Sequence, residues 1–454
     1  MRLSFDHGTL VLSEAPDRKL DFIPGLSWDP RVALYRAPAF RFVDVASALA
    51  QSGLPFVDEV KPRAGGNTGP WNDFELRPYQ DAALLAWQLA GRRGTVVMPT
   101  GSGKTRVALA ALASTGARAL CLVPTRALLE QWLRELASAR AAPVGCFGDG
   151  RRERAPITVA TFESAFRHMH ELGADFELLV VDEVHHFGGT SRDAALEMCA
   201  APLRLGLTAT PPEPRGLALL SELVGPVCYQ LAIGDLTGKW LACFDRVVLR
   251  IPLEPDERER YGRGRAQFSA LCSDFYRLHP GASFQDFVSA ALKSSEGRAG
   301  LRAFRDNQRL VGYTRGKDRA LEELLARHRD SKVLIFTADN DAAYTIARRH
   351  LIMPITCDTK RRERERVLAA FRGGELRALV SARVLNEGID VPDADVAIIV
   401  GAALGAREYV QRLGRLLRPA PGKRATIYEL VSRGTDESRR AARRRRSVAP
   451  TQSR

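Results

Sequence analysis

The sequence predicts an α/β protein with two lobes, each built on a parallel sheet, together with a small N-terminal α+β domain and a helical insertion. From Leu76 onward, short apolar strands alternate with amphipathic helices, the pattern of a parallel sheet covered by helices on both faces. A second series of the same kind begins near Lys332. The length of 454 residues is enough for several domains, since roughly 150 residues each is typical.

The first residues predict the small α+β domain. Two apolar runs flank the turn-forming sequence Asp6-His7-Gly8, which indicates a β-hairpin. Val43–Ser52 has helical spacing ended by Gly53, and Leu54–Val57 resembles another strand. Pro62–Pro70 is rich in glycine and proline and nearly free of apolar residues, so it predicts an interdomain linker.

The two lobes and the segment between them follow the linker. Residues 237–314 are charged, with helical periodicity, and predict the insertion; the arginine-rich end predicts a disordered basic tail. The predicted divisions are residues 1–62, 63–75, 76–236, 237–314, 315–436 and 437–454. Predicted strands of the first lobe are Thr95–Met98, Ala119–Val123, Ile157–Ala160, Leu178–Val181 and Leu203–Leu207. Those of the second are Val333–Thr337, Ala378–Ser381, Val396–Val400 and Ile427–Val431, with helices near Arg361–Phe371 and Arg407–Leu417.

Charge and cysteine content narrow the class of protein. A net charge of +14 predicts a polyanionic partner, and it favours nucleic acid over an acidic membrane surface. The seven cysteines form no close pair, which suits neither a disulfide framework nor a zinc or iron–sulfur site. No secretory signal is evident, and no apolar segment reaches the roughly 20 residues needed to span a bilayer. We therefore expect a cytoplasmic protein with no membrane partner.

The loop Met98–Thr105 predicts phosphate binding. Gly101 and Gly103 let backbone N–H groups converge on phosphate oxygens, and the helix that follows adds its partial positive charge. We expect Lys104 to reach the β- and γ-phosphates and Thr105 to place its hydroxyl on Mg²⁺. A flexible Gly/Ser turn is the alternative, which the preceding strand and following helix disfavour. Expected nucleotide contacts in the loop are Thr100, Gly101, Ser102, Gly103, Lys104 and Thr105.

Two adjacent carboxylates follow the strand Leu178–Val181. Carboxylates at the end of a buried strand need a cation. We expect Asp182 to hold Mg²⁺ and Glu183 to orient and deprotonate the attacking water. A zinc role for His185 and His186 is disfavoured, because neither a cysteine nor a third ligand is nearby.

Phosphoryl transfer also needs positive charge on the γ-phosphate. Arg415 and Arg418 share one face of a predicted helix, from which they are expected to reach nucleotide bound by the other lobe. Such arginine fingers contribute on the order of 10³–10⁵ in turnover. An arginine-rich helix is more often a solvated face, but the two preceding motifs favour the catalytic interpretation. Upstream, Arg77 and Gln80 precede the loop, and Gln80 has the donor and acceptor to read adenine, so ATP is expected over GTP.

In order and spacing, these residues resemble the motif set of superfamily 2 helicases, and more narrowly the XPB family in its compact archaeal-type form, over nearly the whole chain. The superfamily motifs are Leu76–Gln80, Met98–Thr105, Pro124–Arg126, Ala160–Phe162, the DEAH-box-type Asp182–His185, Leu207–Thr210, Asn386–Asp390 and Gln411–Arg418. The narrower likeness rests on Leu205–Pro211, Leu385–Pro392, Arg407–Arg415 and Tyr428–Thr435.

The resemblance implies two RecA-like P-loop lobes that use ATP and Mg²⁺, with further nucleotide contacts at Gly388 and Asp390. It implies an ATP-dependent DNA translocase or 3′–5′ helicase, acting on duplex or forked DNA in repair. The N-terminal domain is expected to resemble a damage-recognition domain, and the insertion a thumb that grips duplex DNA. DNA backbone contacts are predicted at Thr125, Arg126, Thr161 and Thr337, with local capping as the alternative for the threonines.

One departure from the family pattern bears on strand separation. The family carries an Arg-Glu-Asp trio after the Thr-Ala-Thr motif, whereas this chain has Glu213-Pro214-Arg215. We therefore expect motor action without unwinding by that element. Two other functions remain open: an RNA-dependent ATPase, and an ATP-switched DNA-binding scaffold that positions an endonuclease partner, since the chain has no nuclease motif.

Overall fold

A computed structural model describes residues 1–15, 20, 23–53, 55–60, 69–211, 214–236, 243–382, 394–401, 424–439 and 441. The chain divides into two compact units, Met1–Ala232 and Ile233–Arg454. Several predictions lie outside the described residues, namely those on Glu213, Gly388, Asp390, Arg415, Arg418 and the helix Arg407–Leu417. In the part of the chain that is described, no helix is both long enough and apolar enough to cross a membrane.

The first unit begins with a five-stranded sheet in the order β3-β4-β2-β1-β5. Its elements are β1 (Arg2–Asp6), β2 (Thr9–Ser13), β3 (Ser27–Asp29), β4 (Leu34–Pro38), α1 (Phe42–Gln51) and β5 (Val57–Asp58). The predicted hairpin is confirmed: β1 and β2 pair antiparallel, and His7 and Gly8 adopt the positive φ angles of a tight turn. The strand predicted at Leu54–Val57 was placed too early: among the described residues of this segment, the strand β5 consists of Val57 and Asp58, which pair with β1.

This small domain packs onto the lobe that follows it. Its apolar core of leucines and valines from the sheet and α1 also includes Ala200 of the next lobe. Arg41 forms an ion pair with Glu222. Gly173 is in such close contact with Phe5 that a Cβ there would lie 2.7 Å from the ring. The domain and the lobe are therefore parts of one packed unit.

An eight-stranded sheet forms the centre of the first lobe, in the order β13-β6-β12-β11-β7-β10-β8-β9. All pairings are parallel except that of the edge strand β9. The elements are α2 (Pro78–Leu89), β6 (Arg93–Val97), α3 (Lys104–Thr115), β7 (Ala119–Val123), α4 (Arg126–Ala139), β8 (Gly145–Gly148), β9 (Arg151–Glu153), β10 (Ile157–Thr161), α5 (Phe162–Leu172), β11 (Leu178–Asp182), α6 (Ala194–Glu197), β12 (Leu203–Thr208), α7 (Pro214–Leu223) and β13 (Val227–Gln230).

A fully buried arginine connects this sheet to its covering helices. Arg204 of β12 is 0% exposed, and its guanidinium donates to the carbonyls of Ala201 at 3.0 Å, Leu196 at 3.1 Å and Leu223 at 2.6 Å, and to that of Cys199. Burial lowers the pKa of Arg204 to about 10. Because every acceptor is a main-chain carbonyl, the side chain acts as a clamp on the segments that end α6 and α7.

The second unit has a six-stranded, all-parallel sheet in the order β14-β19-β18-β15-β17-β16. Its elements are α8 (Ile233–Leu236), β14 (Cys243–Ile251), α9 (Pro255–Leu278), α10 (Phe284–Ala291), α11 (Ser295–Gly312), α12 (Arg315–Arg327), β15 (Val333–Phe336), α13 (Asn340–His350), β16 (Met353–Ile355), α14 (Arg361–Gly373), β17 (Ala378–Ser381), β18 (Val396–Ile399) and β19 (Arg424–Ser432).

Two predictions about this unit were wrong in detail. The segment predicted as helical from Thr237 contains a nine-residue strand, β14, which pairs in parallel with β19. The remainder is helical and forms α9, α10 and α11, joined by a cluster of phenylalanines. Glu437 was predicted to begin a disordered tail but is buried, and both its carboxylate oxygens lie 2.9 Å from Lys317 Nζ.

Candidate nucleotide site

The loop between β6 and α3 has the backbone that its glycines predict. Gly103 precedes the first residue of α3 in a left-handed conformation, with φ of 83°. A Cβ on Gly103 would lie 2.4 Å from Gln80 Nε2. Both the backbone angle and this close approach require glycine at position 103.

Helix α2 holds the loop in place. Tyr79 Oη and Gln80 Nε2 each donate to the carbonyl of Ser102 at 2.8 Å. Gln80 Oε1 accepts from the backbone N–H of Arg77 at 2.9 Å. The amide of Gln80 is therefore already engaged by the protein at both ends, and it is only 4% exposed. Recognition of adenine by Gln80 stays a prediction. It would use the one N–H of Nε2 and the one acceptor position of Oε1 that the protein leaves unused.

Lys104 and Thr100 provide side-chain donors around the loop. Lys104 is buried, with Nζ 3.3 Å from the carbonyl of Met98. The hydroxyl of Thr100 is buried and has no hydrogen-bond partner among the described residues. An unsatisfied buried hydroxyl costs about 1–3 kcal/mol. A phosphate group fits this cradle, because its oxygens accept from Thr100, from Lys104 and from the N–H groups at the start of α3.

Asp182 ends β11 in a buried position and accepts two hydrogen bonds. Trp132 Nε1 donates to Oδ2 at 3.0 Å, and the backbone N–H of Glu183 donates to Oδ1 at 2.9 Å. Burial raises the pKa of the Asp182 carboxyl, and the positive charge of Lys104 acts in the opposite direction. A buried carboxylate beside a phosphate cradle fits Mg²⁺, which proteins bind through one or two carboxylates together with substrate phosphates. Thr105, in the first turn of α3, is half-buried near the same loop.

Glu183 and His185 extend the site toward the next strand. Glu183 has a positive φ of 51°, a backbone conformation that is uncommon for a residue other than glycine. Its Oε2 lies 3.4 Å from His185 Nδ1, which in turn lies 2.9 Å from Thr208 Oγ1. Because the Thr208 hydroxyl donates to the carbonyl of Thr210 at 2.9 Å, His185 must donate from Nδ1 to Thr208. From the sequence, His185 is considered as a zinc ligand and as the last residue of the Asp182–His185 motif, and this contact is not predicted.

Strand order brings these groups to one edge of the sheet. The carboxyl ends of β6, β12, β11, β7 and β10 lie side by side in that order. The end of β6, where the phosphate loop begins, is therefore two strand spacings, about 10 Å, from the end of β11. In parallel α/β sheets, ligands bind in the crevice at this edge.

The predicted DNA contacts differ in how free their side chains are. Thr125 and Thr161 cap helices, with Oγ1 accepting from Leu128 N at 3.3 Å and Ser164 N at 3.2 Å. Thr337, in the second unit, is 1% exposed and donates to the carbonyl of Asp339 at 2.9 Å. The side chain of Arg126 is 72% exposed and pairs with Asp149 at 2.8 Å. A DNA role for these four residues stays a prediction. Of the four side chains, that of Arg126 is the most accessible to DNA.

Comparison with known proteins bears on the whole chain. Residues 3–60 match the xeroderma pigmentosum group B helicase damage recognition domain, residues 73–213 the res subunit of type III restriction enzymes, and residues 316–420 the helicase conserved C-terminal domain. The DNA 3′–5′ translocase XPB2 of Sulfurisphaera tokodaii is 35% identical, covering 96% of this chain and 98% of that protein. The chain belongs to the XPB family. The XPB helicase of Mycobacterium tuberculosis is 30% identical, covering 83% of this chain and 64% of that protein.

Solved structures place this XPB-family chain in the expected fold class. The helicase domain of Pyrococcus furiosus Hef has a TM-score of 0.50 at 18% identity, covering 81% of this chain and 98% of that one. Dbp5 of S. cerevisiae, bound to RNA and ADP BeF3, has a TM-score of 0.54 at 15% identity, covering 82% and 87%. At these identities the likeness concerns the fold alone. The predicted family, the RecA-like fold class and the ATP-driven helicase class of enzyme are confirmed.

Proposed function

We propose that this XPB-family protein is an ATP-dependent DNA translocase or 3′–5′ DNA helicase that acts in DNA repair. The observation that carries the proposal is the convergence of a phosphate cradle and a buried carboxylate on one sheet edge, in a chain whose relative named as a DNA translocase matches it end to end. The net charge of +14 supports a nucleic-acid track.

The chain's own residues divide the work of hydrolysis. Lys104 neutralises charge on the β- and γ-phosphates, and Thr105 and Asp182 would hold the metal ion. When bound, Mg²⁺ stabilises the negative charge that develops on the transferred phosphoryl group. Glu183 orients the attacking water and accepts its proton. Arg415 and Arg418, known here only from the sequence, are proposed to add positive charge from the second lobe.

We also propose roles for the N-terminal domain and for the helical insertion. Residues 1–62 act as a damage-recognition-like domain, and the helices within residues 237–314 grip duplex DNA as a thumb-like element. Exposed arginines support the second role, since they suit the phosphate backbone. On α9 and α11 these are Arg258, Arg260, Arg263, Arg265, Arg277, Arg298, Arg302, Arg305 and Arg309.

The name of one relative supports our proposal of a protein partner. A relative from Arabidopsis thaliana, 27% identical, is named as a subunit of a general transcription and DNA repair factor. That name supports a repair role for this chain within an assembly, in which we propose that an endonuclease partner makes the cut. A cytoplasmic location remains a prediction.

Activation of the ATPase by different nucleic acids tests the proposal. Turnover is measured with duplex DNA, forked DNA, single-stranded DNA and RNA, and Lys104→Ala serves as the inactive control. Stimulation by DNA above RNA, absent in Lys104→Ala while salt-sensitive DNA binding is kept, is the expected result. A stronger response to RNA would select the RNA-dependent ATPase instead. Slow turnover with no displacement of a bound strand would select the ATP-switched scaffold.

A further inference from the structure

Trp132 connects helix α4 to the carboxylate at the end of β11. Its side chain is 0% exposed, and its indole Nε1 donates to Asp182 Oδ2 at 3.0 Å. An indole can only donate, and a buried one needs an acceptor. The acceptor it has here is the carboxylate that the proposed mechanism assigns to Mg²⁺.

A second buried tryptophan in the same lobe provides the contrast. Trp87 is also 0% exposed, but its Nε1 donates to the backbone carbonyl of Arg204 at 2.9 Å. A main-chain carbonyl is therefore a sufficient partner for a buried indole in this core. A hydrogen bond to an ionised acceptor is roughly twice as strong as one to a neutral acceptor. Trp132 therefore does more to orient its partner than Trp87 does.

The two donors on Asp182 fix the plane of its carboxylate. One oxygen is held by Trp132 and the other by the N–H of Glu183 at 2.9 Å. Each oxygen keeps a further acceptor position for a cation. Because Mg²⁺ demands near-ideal octahedral geometry, groups that orient its ligands affect binding strongly.

Helix α4 also begins where DNA contact is predicted. It starts at Arg126, directly after the capping residue Thr125. Trp132 lies less than two turns further on, about 9 Å along the helix axis. The exposed start of α4 and the indole that contacts Asp182 therefore lie on one short helical segment.

We propose that Trp132 is a positioning residue: its indole N–H orients the Asp182 carboxylate for Mg²⁺ and links that carboxylate to the DNA-facing start of α4. The inference rests on the proposed function, because it takes from it the metal at Asp182 and the DNA at Arg126. Trp132 itself touches neither ATP nor DNA in this scheme.

The test compares Trp132→Phe with Trp87→Phe, each of which removes one indole N–H and keeps an aromatic ring in the core. Affinity for a fluorescent ATP analogue is titrated with Mg²⁺ in the absence of DNA. Trp132→Phe is expected to raise the half-saturating Mg²⁺ concentration about tenfold, with the affinity in EDTA unchanged, while Trp87→Phe leaves the Mg²⁺ titration as in the wild type. Equal titrations for the two variants would overturn the positioning role.

The link to DNA has its own measurement. The ratio of ATPase turnover with and without duplex DNA, at saturating Mg²⁺, is expected to fall severalfold in Trp132→Phe and to stay unchanged in Trp87→Phe. An unchanged ratio in Trp132→Phe would overturn the link. Absence of DNA stimulation in the wild type would instead contradict the proposed function, whereas the Mg²⁺ titration needs no DNA and decides the positioning role by itself.

A spectroscopic measurement covers the case in which Trp132→Phe does not fold. The chain has five tryptophans, so the ¹⁵N-labelled wild type has five indole N–H signals, assignable by replacing each of the other four with Phe. Addition of Mg²⁺ to nucleotide-saturated protein is expected to shift the Trp132 signal and not that of Trp87. A Trp132 signal that does not move would overturn the proposal.

Discussion

His185 Nδ1 lies 2.9 Å from Thr208 Oγ1, which joins the ends of two neighbouring strands, β11 and β12. The same nitrogen lies 3.4 Å from the carboxylate of Glu183. His185 therefore stands between the proposed catalytic base and the segment that follows β12. The Thr208 hydroxyl, which belongs to another motif, accepts the Nδ1 proton of His185 and so fixes the ring that lies beside the Glu183 carboxylate.

Thr208→Val removes this hydroxyl while keeping the branched shape of the side chain. Loss of a buried hydrogen bond of about 1.5 kcal/mol at His185, whose ring lies beside Glu183, is expected to lower kcat about tenfold, with ATP affinity kept. Thr208→Ser retains the hydroxyl and is expected to restore most of the turnover. Wild-type kcat in Thr208→Val would show that this contact does not orient Glu183.

Glu183→Gln tests the base directly. The amide has almost the same shape as the carboxylate but cannot take a proton from water, so kcat is expected to fall about 10²–10⁴-fold. ATP binding should persist and can be measured with the fluorescent analogue. Near-normal turnover would mean that another group accepts the proton.

Local sequence was sufficient to predict some parts of this protein and not others. Strands Ala119–Val123 and Ala378–Ser381 have the predicted bounds, because each is a short apolar run followed by a breaker or polar segment. Strand β14 was missed because charged residues at Asp245, Arg246 and Arg250 interrupt its apolar run.

Contacts within the site depend on strand order, which motif order along the chain does not reveal. Trp132 and Asp182 are 50 residues apart, and His185 and Thr208 are 23 apart. They meet because β11 lies between β7 and β12 in the sheet. The motifs therefore led to predictions for Lys104, Asp182 and Glu183, but they gave no indication that Trp132 contacts Asp182 or that Thr208 contacts His185.

Arg204→Met tests the contribution of the hydrogen bonds from the buried Arg204 guanidinium to main-chain carbonyls. Methionine fills similar space but leaves several buried carbonyls without donors, so the free energy of unfolding is expected to fall by about 3–5 kcal/mol. Arg167→Met is the matched control, since Arg167 is exposed and its pair with Glu163 should be worth less than about 1 kcal/mol. Equal losses in chemical denaturation of the two variants would contradict the clamp role.

Arg415→Ala tests the arginine predicted from the sequence alone. Loss of positive charge at the γ-phosphate is expected to lower kcat about 10³–10⁵-fold. The affinity for ATP, and the affinity for DNA measured without ATP, are expected to stay near those of the wild type. Single-turnover hydrolysis separates this effect from slow product release. A variant that hydrolyses ATP at the normal rate would leave Arg415 outside the catalytic machinery.

Displacement of the third strand from a DNA triplex tests the motor most directly, because it requires movement along duplex DNA without separation of its strands. Run beside it, blunt-duplex unwinding is expected to be weak, given Glu213-Pro214-Arg215 in place of the family's trio. We expect ATP-dependent triplex displacement by the wild type and none by Glu183→Gln. Failure of the wild type to displace the third strand while it hydrolyses ATP on DNA would contradict the claim that this protein is a DNA translocase.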